Sequence, residues 1–323
     1  MMDRRTFVRC AVIACSAVPL ATRAQGRIPR IGFLAPNTTT YEEAFWQELR
    51  QLGYVRDGNL SVDYRSANGD FERLPELAAE LVTRKVDLIV AVVTQASLAA
   101  KDATATIPIV MVGVGDPVGA GLVVNLARPD GNVTGTSTLV KDVTGKQLEL
   151  LRELLPGVAR VAVLWNPANA VFQRQVAQEA GAAAAKLRLQ LRFYEARTPG
   201  DLDHALASIH KDRSEALLVL PDPVLAKHVV VIAQRASTYR LPAVSGFRQW
   251  ADAGFLATYG PKFEESYRRA ATYVDRILKG ARPADLPIEQ SANFELVVNA
   301  KTAKALGLTI PRSVRERSNE VIQ

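Results

Sequence analysis

From Arg30 onward, short runs of β-branched and apolar residues alternate with longer segments in which apolar residues recur every three or four positions. That alternation is the signature of βαβ units built around parallel sheets. Ile31 to Leu34 predicts a first strand. The segment 41–52 predicts a helix, with Phe45, Leu49 and Leu52 on one face, Glu42 and Glu43 in its first turn and Gly53 just past its end. A second strand is expected over 60–65 and a helix over 71–85, where Phe71, Leu74, Leu77, Ala78 and Leu81 keep helical spacing. The near-continuous apolar run 86–93 predicts a strand covered on both faces. A short helix over 97–104, a strand over 107–112 and the segment 132–139 complete this first set.

The pattern then repeats. A helix over 143–155 precedes strands over 161–165, 189–194, 216–220 and 242–245, which alternate with helices near 170–187, 201–211 and 224–239. A strand over 255–259, an amphipathic helix over 263–278 and a late strand over 294–299 remain to be placed. This much apolar chain exceeds what one core usually fills, and no Gly/Ser/Pro-rich linker divides it. Two domains must therefore share the chain by crossing over. The expected lobes are 27–139 plus 261–284, and 140–260 plus 285–323.

The first 24 residues differ in character and read as an export signal. Arg4 and Arg5 open a twin-arginine-like run, an apolar stretch from Cys10 to Leu20 follows, and small residues flank a cleavage point after Ala24. The stretch is too short to span a bilayer. An alternative is a lipoprotein signal in which Cys15 carries the lipid, but its apolar run is very short. Removing the segment takes away a net of three positive charges from the formal +7, which leaves a mildly basic protein. Charges of both signs alternate along helices, as in Glu264-Glu265 and Arg268-Arg269, so no nucleic-acid footprint is expected. Both cysteines fall in the leader, which removes disulfides, thiolate nucleophiles and cysteine metal ligands from the mature chain.

In open parallel sheets, ligands bind beyond the carboxyl ends of the strands. The turns there are 35–38, 94–97, 115–117, 166–169, 221–223, 245–247 and 258–261, a polar set rich in Asp, Asn, Ser and Thr and without Lys. Asp116-Pro117, Asn166-Pro167 and Asp222-Pro223 also read as helix N-caps followed by proline, and capping and ligand contact are compatible there. Gly113 to Gly119 misses the dinucleotide fingerprint by one residue, and no nucleophile elbow or His-Glu-x-x-His pair occurs. His204, His210 and His228 fall on helices or their ends rather than after strands. No cofactor, metal or catalytic residue is expected. A doubly wound enzyme such as a racemase is the alternative from another class, and a transcriptional regulator would need a helix-turn-helix where the export signal stands.

Arg30-Ile-Gly-Phe-Leu, Gly115-Asp-Pro-Val-Gly-Ala-Gly-Leu-Val, Pro129-Asp-Gly-Asn-Val-Thr-Gly, Leu148-Glu-Leu-Leu-Arg-Glu-Leu-Leu-Pro, Ala257-Thr-Tyr-Gly and Phe294-Glu-Leu-Val-Val-Asn, in this order, carry a resemblance. The chain resembles the ABC-transporter substrate-binding family that includes tryptophan- and tyrosine-binding lipoproteins. The resemblance implies the periplasmic binding protein type I fold: two doubly wound α/β lobes joined by three crossings, with a small molecule held between them. It also implies a membrane permease as partner and a periplasmic, monomeric binding protein. The implied ligand contacts, with the strand-end residues, are Asn37, Thr38, Thr94, Gln95, Ser97, Asp116 and Ser137 from the first lobe. Asn166, Asp222, Phe247 and Tyr259 come from the second lobe or the hinge.

With Asp116 and Asp222 the two carboxylates on those turns, a dianionic ligand is disfavoured. A zwitterion fits, its ammonium on one of the carboxylates and its carboxylate on the helix opening at Thr94 to Ser97, with Tyr41, Phe247 and Tyr259 over its side chain. An amino acid or related amphipathic compound is therefore favoured, and a neutral sugar is the alternative.

Overall fold

The computed structural model describes residues 27–138 and 143–323; the expected export signal, Cys10 and Cys15 lie outside these residues. The chain runs β1 (Arg30–Ala35), α1 (Glu42–Gln51), β2 (Ser61–Ser66), α2 (Leu74–Thr83), β3 (Leu88–Val92), α3 (Val93–Ala103), β4 (Ile109–Val114) and β5 (Val133–Ser137). It continues with α4 (Val143–Leu154), β6 (Arg160–Trp165), α5 (Ala170–Leu187), β7 (Gln190–Glu195), α6 (Pro199–Lys211), β8 (Ala216–Val219), α7 (Pro223–Lys227) and α8 (Val229–Thr238). Then come β9 (Ala243–Ser245), α9 (Arg248–Asp252), β10 (Ala257–Pro261), α10 (Phe263–Leu278), β11 (Glu289–Gln290), β12 (Phe294–Asn299), α11 (Ala300–Leu306), α12 (Arg312–Arg317) and β13 (Glu320–Ile322).

These strands form two sheets, ordered β11-β5-β4-β3-β1-β2 and β13-β12-β10-β9-β8-β6-β7. Every pairing is parallel except that of β10 with β12. β3 and β4 are buried along their whole length because helices cover both faces of the first sheet. On one face Phe45 and Leu49 of α1 pack with Tyr267, Ala270 and Val274 of α10; on the other, α2 and α3 supply Leu74, Leu77, Leu81, Ala96 and Ala100. The second sheet is enclosed in the same way by α4 and α5 on one face and by α6, α8 and Trp250 of α9 on the other.

The chain passes between the sheets after β5, between β10 and α10, and between β11 and β12. The last passage comes later than the sequence pattern suggests. Glu289 and Gln290 pair with Thr136 and Ser137, and Leu286 and Ile288 are buried in the cores of the first sheet, so residues 286–290 belong there rather than with the second. A two-residue strand with one buried neighbour gives no periodicity to read. At the second passage Gly260 lies so close to Gly246 that a Cβ on it would sit 1.8 Å from the Gly246 carbonyl oxygen.

Two helices also depart from expectation. The segment 224–239 breaks at His228 into α7 and α8. α3 starts at Val93 rather than Ser97, because Val93 takes a left-handed φ of 58° and turns the strand directly into the helix. A β-branched residue in that region is strained, and such strain gathers at ligand sites.

Candidate functional site

The carboxyl ends of the two sheets face each other across a cavity of about 490 Å³. The first lobe supplies the turn 36–41, Asn68, the start of α3, Gly113, Gly115 and Thr138, and from α10 Phe263 and Tyr267. The second supplies Asn169, the turn 221–223, Ala226, Lys227, Gly246, Phe247, Gln249 and Pro261. None of the three histidines lines it.

Asp222 is the centre of the second-lobe wall. It caps α7, its Oδ1 accepting from the backbone N–H of Val224 (2.9 Å) and Leu225 (3.2 Å) and from Asn166 Nδ2 (3.1 Å). Oδ2 accepts from Asn169 Nδ2 at 3.0 Å. Burial raises its pKa above the ordinary carboxylate value, and these four hydrogen bonds oppose that shift. All four donors are neutral, so among the described residues no cation pairs with the buried carboxylate.

Across the cavity, α3 presents its first turn with no side-chain cap. Its leading N–H groups have no intrahelical partner and carry the positive end of the helix dipole. Val92, Val93, Thr94 and Gln95 of this end line the cavity.

The floor is aromatic. Phe263 packs edge-on against Tyr41 (5.6 Å) and Tyr267 (5.5 Å) and tilted against Phe247 (5.1 Å), so one ring touches partners from both lobes. Gly113 makes room for it: a Cβ there would stand 2.2 Å from Phe263 Cε2, and φ is +63°. Burial pushes the phenols of Tyr41 and Tyr267 well above their ordinary pKa, so both stay neutral hydrogen-bonding groups. Behind the wall, buried Glu42 accepts from Thr39 N (3.1 Å) and Tyr64 Oη (3.0 Å), and Tyr64 Oη lies 3.0 Å from Thr38 Oγ1. That network holds the 36–41 turn.

Among the described residues, direct bonds join the lobes around the cavity. Asn37 Nδ2 donates to the Pro223 carbonyl at 2.7 Å, Lys227 Nζ donates to the Asn68 carbonyl at 2.7 Å, and Gln95 Nε2 donates to Asn169 Oδ1. The molecule is closed.

Of the residues proposed from the sequence, Asn37, Thr38, Thr94, Gln95, Asp222 and Phe247 line the cavity. The other five do not. Ser97 is fully buried inside α3 and donates to the Val93 carbonyl at 2.7 Å. Asp116 folds back on its own turn, accepting from Gly119 N at 2.9 Å. Ser137 is buried beneath the β11 pairing, 3.5 Å from the Gly115 carbonyl oxygen. Asn166 is buried behind Asp222 and orients it. Tyr259 stacks its ring on Phe294, with Lys146 Nζ 5.7 Å from the ring centroid, and its carbonyl accepts from Gln147.

The strand-end reading passed over Asn169, Lys227, Phe263 and Tyr267. Asn169 sits in the 166–169 turn at the N-cap position of α5, yet its side chain makes no capping bond and is turned to Asp222 and Gln95. Lys227 corrects the expectation of a Lys-free site: it lies at the far end of α7 from Asp222 and reaches the cavity mouth. Among the lining residues the formal charges are thus one buried carboxylate and one exposed ammonium.

Residues 36–322 match the family model described as ABC transporter substrate binding protein. A tyrosine-binding protein of Clostridioides difficile is 28% identical over 273 residues, 84% of this chain and 78% of that protein. An ABC domain from Streptococcus pneumonia solved in complex with L-Trp is 25% identical, covers 91% of this chain and 99% of its own, and superposes with a TM-score of 0.83. The ligand-free, open structure of a Clostridium difficile substrate-binding protein with adhesive properties is also 25% identical, over 92% of this chain and 99% of that one, yet superposes at only 0.65. At equal sequence identity, the chain superposes better on the ligand complex than on the ligand-free, open structure.

Proposed function

The chain belongs to the ABC transporter substrate-binding protein family, and on that premise we propose that it captures an amino acid between its lobes outside the cytoplasmic membrane and delivers it to a membrane permease. The observation that carries the ligand class is Asp222, a buried carboxylate with neutral partners and an oxygen that accepts from a single donor among the described residues, facing an uncapped helix end across a cavity whose one other charged lining residue among those described is Lys227 at its mouth. A ligand ammonium on Asp222 Oδ2 supplies the missing cation, and a ligand carboxylate on the α3 N-terminus supplies the anion that this helix end lacks. Tyr41, Phe247 and Phe263 are placed to cover the side chain, which favours an apolar or aromatic one. Ligand that touches both walls binds the closed form more tightly than the open one and shifts the lobes toward closure, the form a permease would read. Among the described residues no helix is long and apolar enough to cross a membrane.

The test is a thermal-shift screen of amino-acid and sugar panels on the wild type, Asp222→Ala and Asp116→Ala. Amino acids, aromatic ones foremost, are expected to stabilise the wild type and Asp116→Ala and to lose their effect on Asp222→Ala. Stabilisation by sugars alone, or an unchanged amino-acid shift in Asp222→Ala, defeats the reading.

A further inference from the structure

The bond that Gln95 makes across the cavity does not stand alone. Asn169 Nδ2 donates to Asp222 Oδ2, so its other amide atom, Oδ1, is turned toward the first lobe, where Gln95 Nε2 donates to it. An ionised carboxylate only accepts, and it therefore fixes which way round the Asn169 amide stands. The chain has a direction, from Gln95 through Asn169 to Asp222, set by its terminal acceptor. Asn166 and two backbone N–H groups hold the opposite oxygen of Asp222 and leave Oδ2 to face Asn169. Asn169 lies 3% exposed and spends no atom of its side chain on capping α5.

We propose that Asn169 is a positioning residue that relays the ionised state of Asp222 to Gln95 of the opposite lobe, so that the carboxylate sets the amide in the orientation that latches the lobes and a cation on Asp222 reinforces it. This deepens the capture reading and rests on it for the ligand's place on Asp222; the direction of the chain does not depend on it. A neutral molecule of the same shape fills the cavity without reinforcing the carboxylate that orients the relay. Selection for a cationic group is thus exerted on closure as well as on contact.

The prediction that separates a directional relay from mere packing is reversal. In Gln95→Glu the new carboxylate meets Asn169 Oδ1, acceptor against acceptor, and closure weakens. In Asp222→Asn the new amide keeps its oxygen toward Asn166 and the α7 N–H groups and turns its NH2 to Asn169, which must then flip and present a donor to Gln95; the Gln95 amide turns over with it and accepts through Oε1, so closure is largely kept. Combined, the two substitutions restore a matched chain that runs the other way.

Closure is read in the ligand-free protein as the distance distribution between spin labels on Glu76→Cys in α2 and Gln234→Cys in α8, both exposed, with Cys10→Ser and Cys15→Ser. Gln95→Glu alone is expected to lower the ratio of closed to open molecules roughly fivefold, the worth of about one hydrogen bond, Asp222→Asn alone to change it little, and the double substitution to recover most of the loss. A double variant no more closed than the worse single one, or a ligand-free wild type with no closed population, overturns the proposal. Should Asp222→Asn not fold, Asn169→Ala replaces it: in that background Gln95→Glu must have no further effect on closure, and an undiminished effect overturns the relay. L-tryptophan and L-tyrosine are then titrated into each variant. Reversal without binding of either leaves the relay standing and removes the capture reading; binding without reversal does the opposite.

Discussion

The two helix N-termini that meet across the cavity, α3 from the first lobe and α7 from the second, are the same structural object finished in opposite ways. α7 is closed by its own residue, since Asp222 accepts from both leading N–H groups and is itself held by two asparagines. α3 is left open, entered through a strained left-handed Val93 and without a side-chain cap. A capped end has spent its positive potential on the protein's own carboxylate and displays negative charge; an open end still displays the positive one. Two similar elements thereby give the cavity opposite poles, an arrangement suited to a zwitterion. The pole on the second lobe is also structural, whereas the pole on the first is free to serve the ligand alone.

That asymmetry makes its largest prediction in stability. Asp222→Ala leaves two backbone N–H groups and two amide groups without their acceptor in a buried place, and is expected to cost about 3 kcal/mol in urea unfolding. Thr94→Ala, at the end that no side chain caps, is expected to cost about 1 kcal/mol or less. Equal losses at the two sites would break the distinction between a closed and an open helix end.

Much of this architecture is visible in the periodicity of the chain, and little of the wiring across the cavity is. The buried runs that form β3 and β4 and the amphipathic face of α10 are local signals, because a strand or helix needs its apolar stripe wherever it packs. Reasoning from strand ends finds the right turns for the same reason. It cannot tell Asp222, which faces the cavity, from Asp116, which turns back to Gly119, since both read as Asp-Pro caps. Tyr259 shows the limit from another side: the pleat of β10 sends its ring to Phe294, and only the pairing with β12 reveals that. Asn169 and Lys227 owe their roles to partners on the other lobe, Gln95 and Asn68, far away in sequence. Such pairs leave no local mark in one sequence. A half-legible case is Thr39-x-x-Glu42, a capping signature whose carboxylate also holds Tyr64.

The two poles can be weighed against each other on the ligand. With L-tryptophan as probe, removing its ammonium (indole-3-propionate) leaves Asp222 buried without a cation, and affinity is expected to fall about 100-fold. Removing its carboxylate instead (tryptamine) forfeits a helix-end interaction and is expected to cost about tenfold. Calorimetric titration of the three compounds ranks the poles, and an acid that binds as well as the amine would reverse the assignment.

The smallest effect is a slope with pH, and it has opposite signs for stability and for binding. Burial raises the pKa of Asp222 above the ordinary value of 3.8, so the folded, ligand-free protein holds that proton more tightly than the unfolded chain does. The contribution of this group to stability is complete below the unfolded value and is lost as pH rises through the folded one. Asp222→Asn has no such titration, so the wild type should lose stability relative to it as pH climbs from 3.8 through the raised value, other groups cancelling in the difference. A ligand cation binds the ionised form, so affinity should instead climb over that window, as the ammonium repays the cost of the buried charge. Thermal melts of the two proteins across the window, with and without L-tryptophan, give both slopes at once. Slopes of the same sign would mean that the ligand does not place its cation on Asp222.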